Sequence, residues 1–138
     1  MFTALQNPLS LIGRALLALL FVPSGLSKLT GFAGTVGYIA SKGVPLPVLA
    51  AAAAVGVELG LGLLLLVGFQ TRWAALGMAL FTFVISFIFH NFGGVPADQV
   101  MVQQINFFKN MAVVGGLLTV MAWGAGRWSL DGARGHAS

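Results

Sequence analysis

The sequence contains no cysteine, and charged residues are scarce: seven Lys and Arg and three Asp and Glu among 138 residues. Without thiols the chain forms no disulfide, holds no metal through thiolate and performs no dithiol chemistry. Its basic residues occur singly, so we expect no nucleic-acid partner. The two histidines, His90 and His136, are too few for a three-ligand zinc site and too far apart for a bis-histidine haem. We therefore expect no metal and no cofactor within the chain itself. Any redox role would depend on a cofactor or a partner protein that binds to it.

Apolar residues are abundant instead. They make up 58% of the chain, charged residues only 7%, and the mean hydropathy is +0.96. An average soluble domain has roughly 25% charged residues. The composition therefore predicts an integral membrane protein in contact with the lipid bilayer. Its length predicts a single domain over residues 1–138.

Four apolar segments are each long enough to cross a bilayer, which requires roughly 20 residues. They predict an all-α, four-helix membrane bundle with helices at about 9–28, 49–68, 73–91 and 102–123. The first helix contains Pro23, whose missing N–H should kink its last turns. The stretch 31–47 is too polar to span and predicts a short helix on the membrane surface.

The basic residues beside the predicted spans indicate an orientation. Arg72, Arg127 and Arg134 lie on one side, joined by Arg14, and the opposite side carries Lys42 and the interfacial Lys28. Because cytoplasmic loops are enriched in Lys and Arg, both termini are predicted to be cytoplasmic.

Glu58 lies at the middle of the second span. A carboxylate at that depth costs about 3 kcal/mol on insertion scales, so it should face protein or water and have a partner. Its helical face is otherwise made of small and apolar residues: Ala51, Ala54, Val55, Gly62 and Leu65. Comparing depths at about 1.5 Å per residue favours Lys109 as the partner, with Arg14 also within reach.

Further polar residues are predicted to converge on the outer half of the bundle with Lys109. They are Lys28, His90, Asn106 and Asn110. For Lys28 the alternative is an interfacial residue whose ammonium reaches the membrane surface, and for His90 it is an ordinary polar helix end. Gly56 and Gly60 have G-x-x-x-G spacing, which serves either packing within the chain or a homo-oligomer.

Several motifs occur together in a particular order. They are Arg14, FVPSGLSKL at 21–29, VEL at 57–59 with Gly62, GFQTR at 68–72, His90, Lys109-Asn110 and GAGRWSLD at 124–131. In this ordered set the chain resembles the DoxX family of small four-helix bacterial membrane proteins, which is related to the DoxD subunit of thiosulfate:quinone oxidoreductase. The resemblance implies a bacterial inner-membrane location and association with oxidoreductase or oxidative-stress complexes.

Two functional hypotheses follow. In the first, an outer-half pocket binds a quinone or a small redox substrate. Lys109 and His90, with Asn110, donate hydrogen bonds to it, and Glu58 exchanges protons. Arg14, Lys28 and Asn106 are further binding candidates. In the alternative, the chain is a non-catalytic membrane subunit that anchors or assembles a soluble oxidoreductase, and the Glu58–Lys109 pair only orients helices. A channel or carrier is a third class, but four helices enclose little volume.

Overall fold

A computed structural model describes residues 1–135. Within this part the chain is all-helical, and four stretches are long and apolar enough to cross a membrane. The helices are α1 (Phe2–Thr30), α2 (Phe32–Ser41), α3 (Pro47–Val55), α4 (Gly62–Val67), α5 (Thr71–Phe89), α6 (Val100–Trp123) and α7 (Leu130–Ala133). A short 3-10 turn, Ala97–Gln99, precedes α6.

The second span is continuous from Pro47 to Val67 but changes its winding in the middle. Between α3 and α4 lies a π-helical segment, Gly56–Leu61, which contains Glu58. A π turn inserts an extra residue into a helical turn, and such insertions occur frequently at functional sites. The sequence predicted the span but not the insertion, which changes the direction of every side chain that follows it.

Four predicted spans are confirmed, with one difference in their bounds. The first helix begins at Phe2, about two turns before the predicted start near residue 9. Pro8 and Pro23 both lie inside α1, and the helix continues through them to Thr30. Gly31 separates it from α2, the short helix that the sequence predicted between the first two spans.

Helix α1 packs against the π segment and α4, whereas α6 packs mainly against α5. The apolar core lies among these elements and comprises Phe21, Leu65, Ala75, Met78, Ala79 and Leu117. The predicted small-residue face of the second span is confirmed, because Ala51, Ala54 and Leu65 are buried. At Gly25 the α1 backbone approaches so closely that a Cβ would lie 2.7 Å from the backbone nitrogen of Leu59.

The two ends of the bundle differ. At one end, here called the tail end, the residues after α6 fold back under the helices. Ser10 donates a hydrogen bond to the carbonyl of Ala125 at 2.8 Å, and Asp131 accepts hydrogen bonds from the backbone N–H groups of Gln70 and Thr71 at the start of α5. The opposite end, here called the pocket end, carries α2 and the connection between α5 and α6.

Candidate functional site

Glu58 forms an ion pair with Lys28. The ammonium Nζ lies 3.1 Å from Oε1 and 3.0 Å from Oε2 of the carboxylate. The Glu58 side chain is 5% exposed and that of Lys28 33% exposed. Glu58 is therefore buried and satisfied by a neighbouring helix, as its place in the span required, but not by the predicted partner.

Close packing of two backbones makes this ion pair possible. Gly25, one turn before Lys28, lets α1 approach the π segment at Glu58 itself, where a Cβ on the glycine would lie 3.0 Å from the Glu58 Cβ. Lys28 then also donates to the hydroxyl of Ser24, one turn back on α1, at 2.8 Å. An ammonium group has three donors. The three acceptors around Lys28 therefore use all three of its N–H donors.

A cavity of about 430 Å³ lies beside this ion pair at the pocket end, and we call it the α2 pocket. Its polar lining residues are Lys28, Thr35, Tyr38, Glu58 and His90, and its apolar ones are Ile39, Val44, Ala50, Ala53, Ala54, Phe81, Ile85, Ile88 and Phe89. Small-molecule sites are mostly apolar cavities of roughly 300–1,000 Å³ with a few placed polar groups. The α2 pocket has both properties.

Helix α2 forms one wall of the pocket. The ring of Tyr38 stacks on that of Phe89 in α5, with 5.6 Å between their centroids, and Ile39 is buried. The chain then turns through Leu46, whose φ of 51° is left-handed, before Pro47 starts α3. The short helix thus lies against the second and third spans and encloses the space above Glu58.

His90, the residue that follows α5, also lines the pocket. Its Nδ1 lies 3.0 Å from the amide oxygen Oε1 of Gln103 in α6. An amide oxygen can only accept, so Nδ1 carries the proton and donates. In the neutral ring Nε2 is then an acceptor, and within residues 1–135 no hydrogen bond is made to it.

Three predicted site residues meet at this pocket, and others do not. Glu58, Lys28 and His90 line it, but Lys109 does not. The prediction that Lys109 pairs with Glu58 was wrong: Lys109 is exposed on α6 and makes no ion pair with another described residue. Asn110 is buried and Asn106 half-buried on the same helix, and neither lines the pocket.

Arg14 belongs to the tail end and does not contact Glu58. It is 1% exposed, and its guanidinium donates to the carbonyls of Leu65 at 2.9 Å, Leu66 at 3.0 Å and Trp128 at 2.6 Å. The first two carbonyls belong to the last turn of α4, where unpaired carbonyls and the negative end of the helix dipole favour a cation. Arg14 therefore joins α1, α4 and the folded tail.

The aromatic residues of the pocket end divide into two groups. Tyr38, Phe81 and Phe89 line the pocket, whereas five other rings pack on one another, with centroid distances of 5.0 to 6.2 Å. This second group comprises Phe83, Phe87, Phe92, Phe107 and Phe108. Its members serve packing between α5, α6 and the loop that joins them.

Several residues of the two ends were missed by sequence reasoning. Thr35 and Tyr38 line the pocket. Ser24 and Gln103 bond to the lining residues Lys28 and His90, and Asp131 caps α5. The spacing of Ser24 and Lys28, one helical turn apart, was an available signal for Ser24. The others depend on contacts between distant segments. His136, named with His90 in the sequence, lies outside the described residues.

The fold and site define a class: a small multi-pass helical membrane protein with a pocket between its spans that is lined by apolar residues and one ion pair. A family comparison makes this specific, since the DoxX family model matches residues 9–91. The chain belongs to the DoxX family, as the order of its motifs predicted.

Two curated relatives from Escherichia coli (strain K12) agree with this assignment. The chain is 38% identical to inner membrane protein YphA over 130 residues, which cover 94% of this chain and 93% of the relative. It is 37% identical to inner membrane protein YqjF over 124 residues, 88% of each chain. No solved structure matches the chain. The protein is therefore a multi-pass protein of the inner membrane, in contact with the lipid bilayer.

Proposed function

We propose that the protein is the membrane component of an oxidoreductase or oxidative-stress system, and that its α2 pocket binds a quinone or a similar small redox substrate. The observation that carries the proposal is the pairing of a buried carboxylate with an apolar cavity. The Glu58–Lys28 pair and His90 both line a cavity of about 430 Å³. A structural ion pair alone does not require such a cavity.

The residues present fit a quinone head group. Apolar side chains such as Phe81, Ile85 and Phe89 offer contacts to the faces of a ring, and few polar groups stand among them. The polar side chains Lys28, Tyr38, Glu58 and His90 line the same cavity and offer hydrogen-bond partners for the oxygen atoms of such a ring. A quinone, when bound, supplies reversible chemistry of two electrons and two protons.

The chain's own side chains would bind, orient and handle protons. Glu58 holds or releases a proton at a carboxylate oxygen, and Lys28 balances its charge. Tyr38 can donate a hydrogen bond to a ring oxygen, and Nε2 of His90 can accept one from a ring hydroxyl. The electrons would be exchanged with a soluble oxidoreductase partner, because this chain has no dithiol of its own. Lys109, Asn106 and Asn110 lie away from the pocket and are not part of this binding site.

The orientation of the protein in the membrane is part of the same proposal. Arg72, Arg127 and Arg134 all lie at the tail end, and the positive-inside rule supports a cytoplasmic position for that end and for both termini. The α2 pocket then opens in the outer half of the membrane. A soluble partner on the cytoplasmic side would meet the folded tail.

Binding of a decyl-benzoquinone to the purified protein in lipid nanodiscs tests the proposal. We expect saturable binding that is at least about tenfold weaker in Glu58→Gln and in Lys28→Met, each of which removes one member of the buried pair. The matched control is Lys109→Met, which removes an exposed cation outside the pocket and should bind as the parent does. Absence of saturable binding, or equal binding by all four proteins, would contradict the proposal.

One observation favours the alternative of a non-catalytic anchor or assembly subunit. All three donors of Lys28 are satisfied inside the chain, by Ser24 and Glu58, as in a pair that only orients helices. Under this alternative the double variant Lys28→Leu with Glu58→Leu folds and still holds its soluble partner, because well-packed apolar residues replace a buried ion pair at little cost. Purification of the complex from membranes with and without the double change, followed by mass spectrometry, measures this.

A further inference from the structure

We infer that the α2 pocket selects a ligand that donates hydrogen bonds to Glu58 and to His90, which among redox-active lipids is the reduced quinol and not the oxidised quinone. The inference rests on the proposed function, since it names the form of the ligand for the same pocket. It follows from the donors and acceptors that the pocket still has unused after its internal hydrogen bonds are made.

At the ion-pair side only acceptor capacity remains. Lys28 donates to Ser24 and to both oxygens of Glu58, which leaves none of its protons for a ligand. The ionised Glu58 carboxylate has no proton to donate, and each of its oxygens can accept more than one hydrogen bond. Within the described chain Lys28 is its only hydrogen-bond donor. A ligand hydroxyl can therefore donate to Glu58, whereas a ligand carbonyl would face another acceptor.

His90 also presents a hydrogen-bond acceptor to the pocket. Gln103 Oε1 takes the Nδ1 proton, so that Nε2 of the neutral ring presents a lone pair. His90 lines the pocket, and Nε2 is the ring nitrogen that remains for a ligand. A second hydroxyl on the ligand would donate there.

The remaining polar lining residues do not reverse this pattern. The Thr35 hydroxyl proton is committed to backbone carbonyls, those of Gly31 at 3.1 Å and Lys28 at 3.4 Å. Of the five polar side chains that line the pocket, Tyr38 alone keeps a free O–H donor. One donor cannot satisfy two carbonyl oxygens at opposite sides of a ring. The pocket therefore matches two O–H groups better than two C=O groups.

The carbonyl oxygens of an oxidised quinone are acceptors, and so are the Glu58 carboxylate and Nε2 of His90. No hydrogen bond would form between them, because neither partner carries a proton to donate. A buried polar group that loses its partner costs about 1–3 kcal/mol, and about 1.4 kcal/mol corresponds to a tenfold change in binding. We therefore expect the quinol to bind at least about tenfold more tightly than its quinone. The two have nearly the same shape and differ mainly in these protons, so this ratio isolates the hydrogen bonds.

The experiment compares decyl-benzoquinol, the matching quinone and the quinol dimethyl ether, which keeps the reduced ring but has no O–H. Binding to the full chain in nanodiscs is measured at about pH 8, where an ordinary histidine is neutral, without oxygen and with a reductant present for the quinol. The quinol is expected to bind most tightly and the ether no better than the quinone. A quinone that binds as tightly as the quinol would overturn the inference and leave the proposed function intact. If none of the ligands binds, both fail.

Gln103→Met provides a second readout, because Gln103 acts on the ligand only through His90. Without the amide oxygen, Nδ1 has no acceptor to hold its proton, and Nε2 can carry it instead and donate to a carbonyl. The ratio of quinol to quinone affinity should fall several-fold in this variant. Gln103→Glu keeps an acceptor at the same place and should retain the ratio. An unchanged ratio in Gln103→Met would overturn the role of His90 as an acceptor, whereas a merely structural role would weaken both ligands equally.

Discussion

The Lys28–Glu58 pair predicts a strongly unequal response to the loss of either member. In Lys28→Met the carboxylate stays 95% buried and loses both of its hydrogen bonds, since no other described residue donates to it. Removing one partner of a buried pair costs about 3–5 kcal/mol, so we expect a loss of stability in this range. The variant should be the least stable of the series.

In Glu58→Gln the residue that loses its partner is Lys28, and this loss is less costly. The Lys28 side chain is 33% exposed and keeps its 2.8 Å hydrogen bond to Ser24, so its ammonium remains partly solvated and partly bonded. We expect a loss of about 1–2 kcal/mol. In the double variant Lys28→Met with Glu58→Gln no charge is left unpaired, and its stability should be close to that of Glu58→Gln alone. The coupling energy between the two sites is then about 3–5 kcal/mol, equal in size to the loss expected for Lys28→Met alone.

The assay is equilibrium unfolding in mixed micelles by titration with sodium dodecyl sulfate, followed by the fluorescence of the three tryptophans. Lys109→Met is the control, because Lys109 is exposed and has no ion-pair partner in the part of the chain described, and it should change stability by less than about 0.5 kcal/mol. Equal losses in the two single variants, or losses that simply add in the double variant, would refute the assignment of this pair as buried and isolated.

Two further predictions concern contacts elsewhere in the bundle. In Arg14→Met the tail loses the hydrogen bond from the guanidinium to the Trp128 carbonyl, so trypsin should cleave the tail several-fold faster than in the parent; an unchanged rate would mean that Arg14 does not hold it. Gly25→Ala places a Cβ 2.7 Å from the Leu59 backbone nitrogen and should destabilise by about 1–3 kcal/mol in the same unfolding assay. Gly13→Ala, with no atom within 4 Å of the added Cβ, is its control and should be neutral or slightly stabilising.

The spans were predictable because hydropathy and length determine them almost alone. An apolar stretch of about 20 residues has few alternatives to a membrane helix, since every backbone polar group in lipid must be bonded internally. The burial of Glu58 was predictable for a similar reason, as an unpaired carboxylate facing lipid is too costly. The short helix between the first two spans was also predicted. These are properties of single segments, which the sequence contains directly.

The partner of Glu58 was not predictable from depth alone. Lys109 and Lys28 both lie at the pocket end, but a pairing also depends on which faces of the helices meet, and that depends on packing. Gly25 brings α1 against the π segment, whereas α6 packs mainly on α5 and leaves Lys109 exposed. The π turn itself has no distinct sequence signal. The same limit applies to the tail, whose hydrogen bonds join residues more than 100 positions apart.

The distribution of unused hydrogen-bonding capacity separates the two polar ends of the molecule by role. At the tail end Arg14 donates to backbone carbonyls through its two terminal nitrogens, and only its buried Nε has no partner among the described residues. Asp131 accepts from backbone N–H groups and the Thr71 hydroxyl. These groups close the ends of helices that would otherwise be unsatisfied. Arg14 also lines a separate cavity of about 650 Å³ between α1 and α6, to which neither Glu58 nor His90 contributes. At the pocket end the acceptors of Glu58 and His90 remain available beside an apolar cavity. A buried polar group with capacity to spare is costly unless a ligand or water uses it. A bound molecule would therefore stabilise the pocket end most. The charged side chains of the tail end instead stabilise the fold.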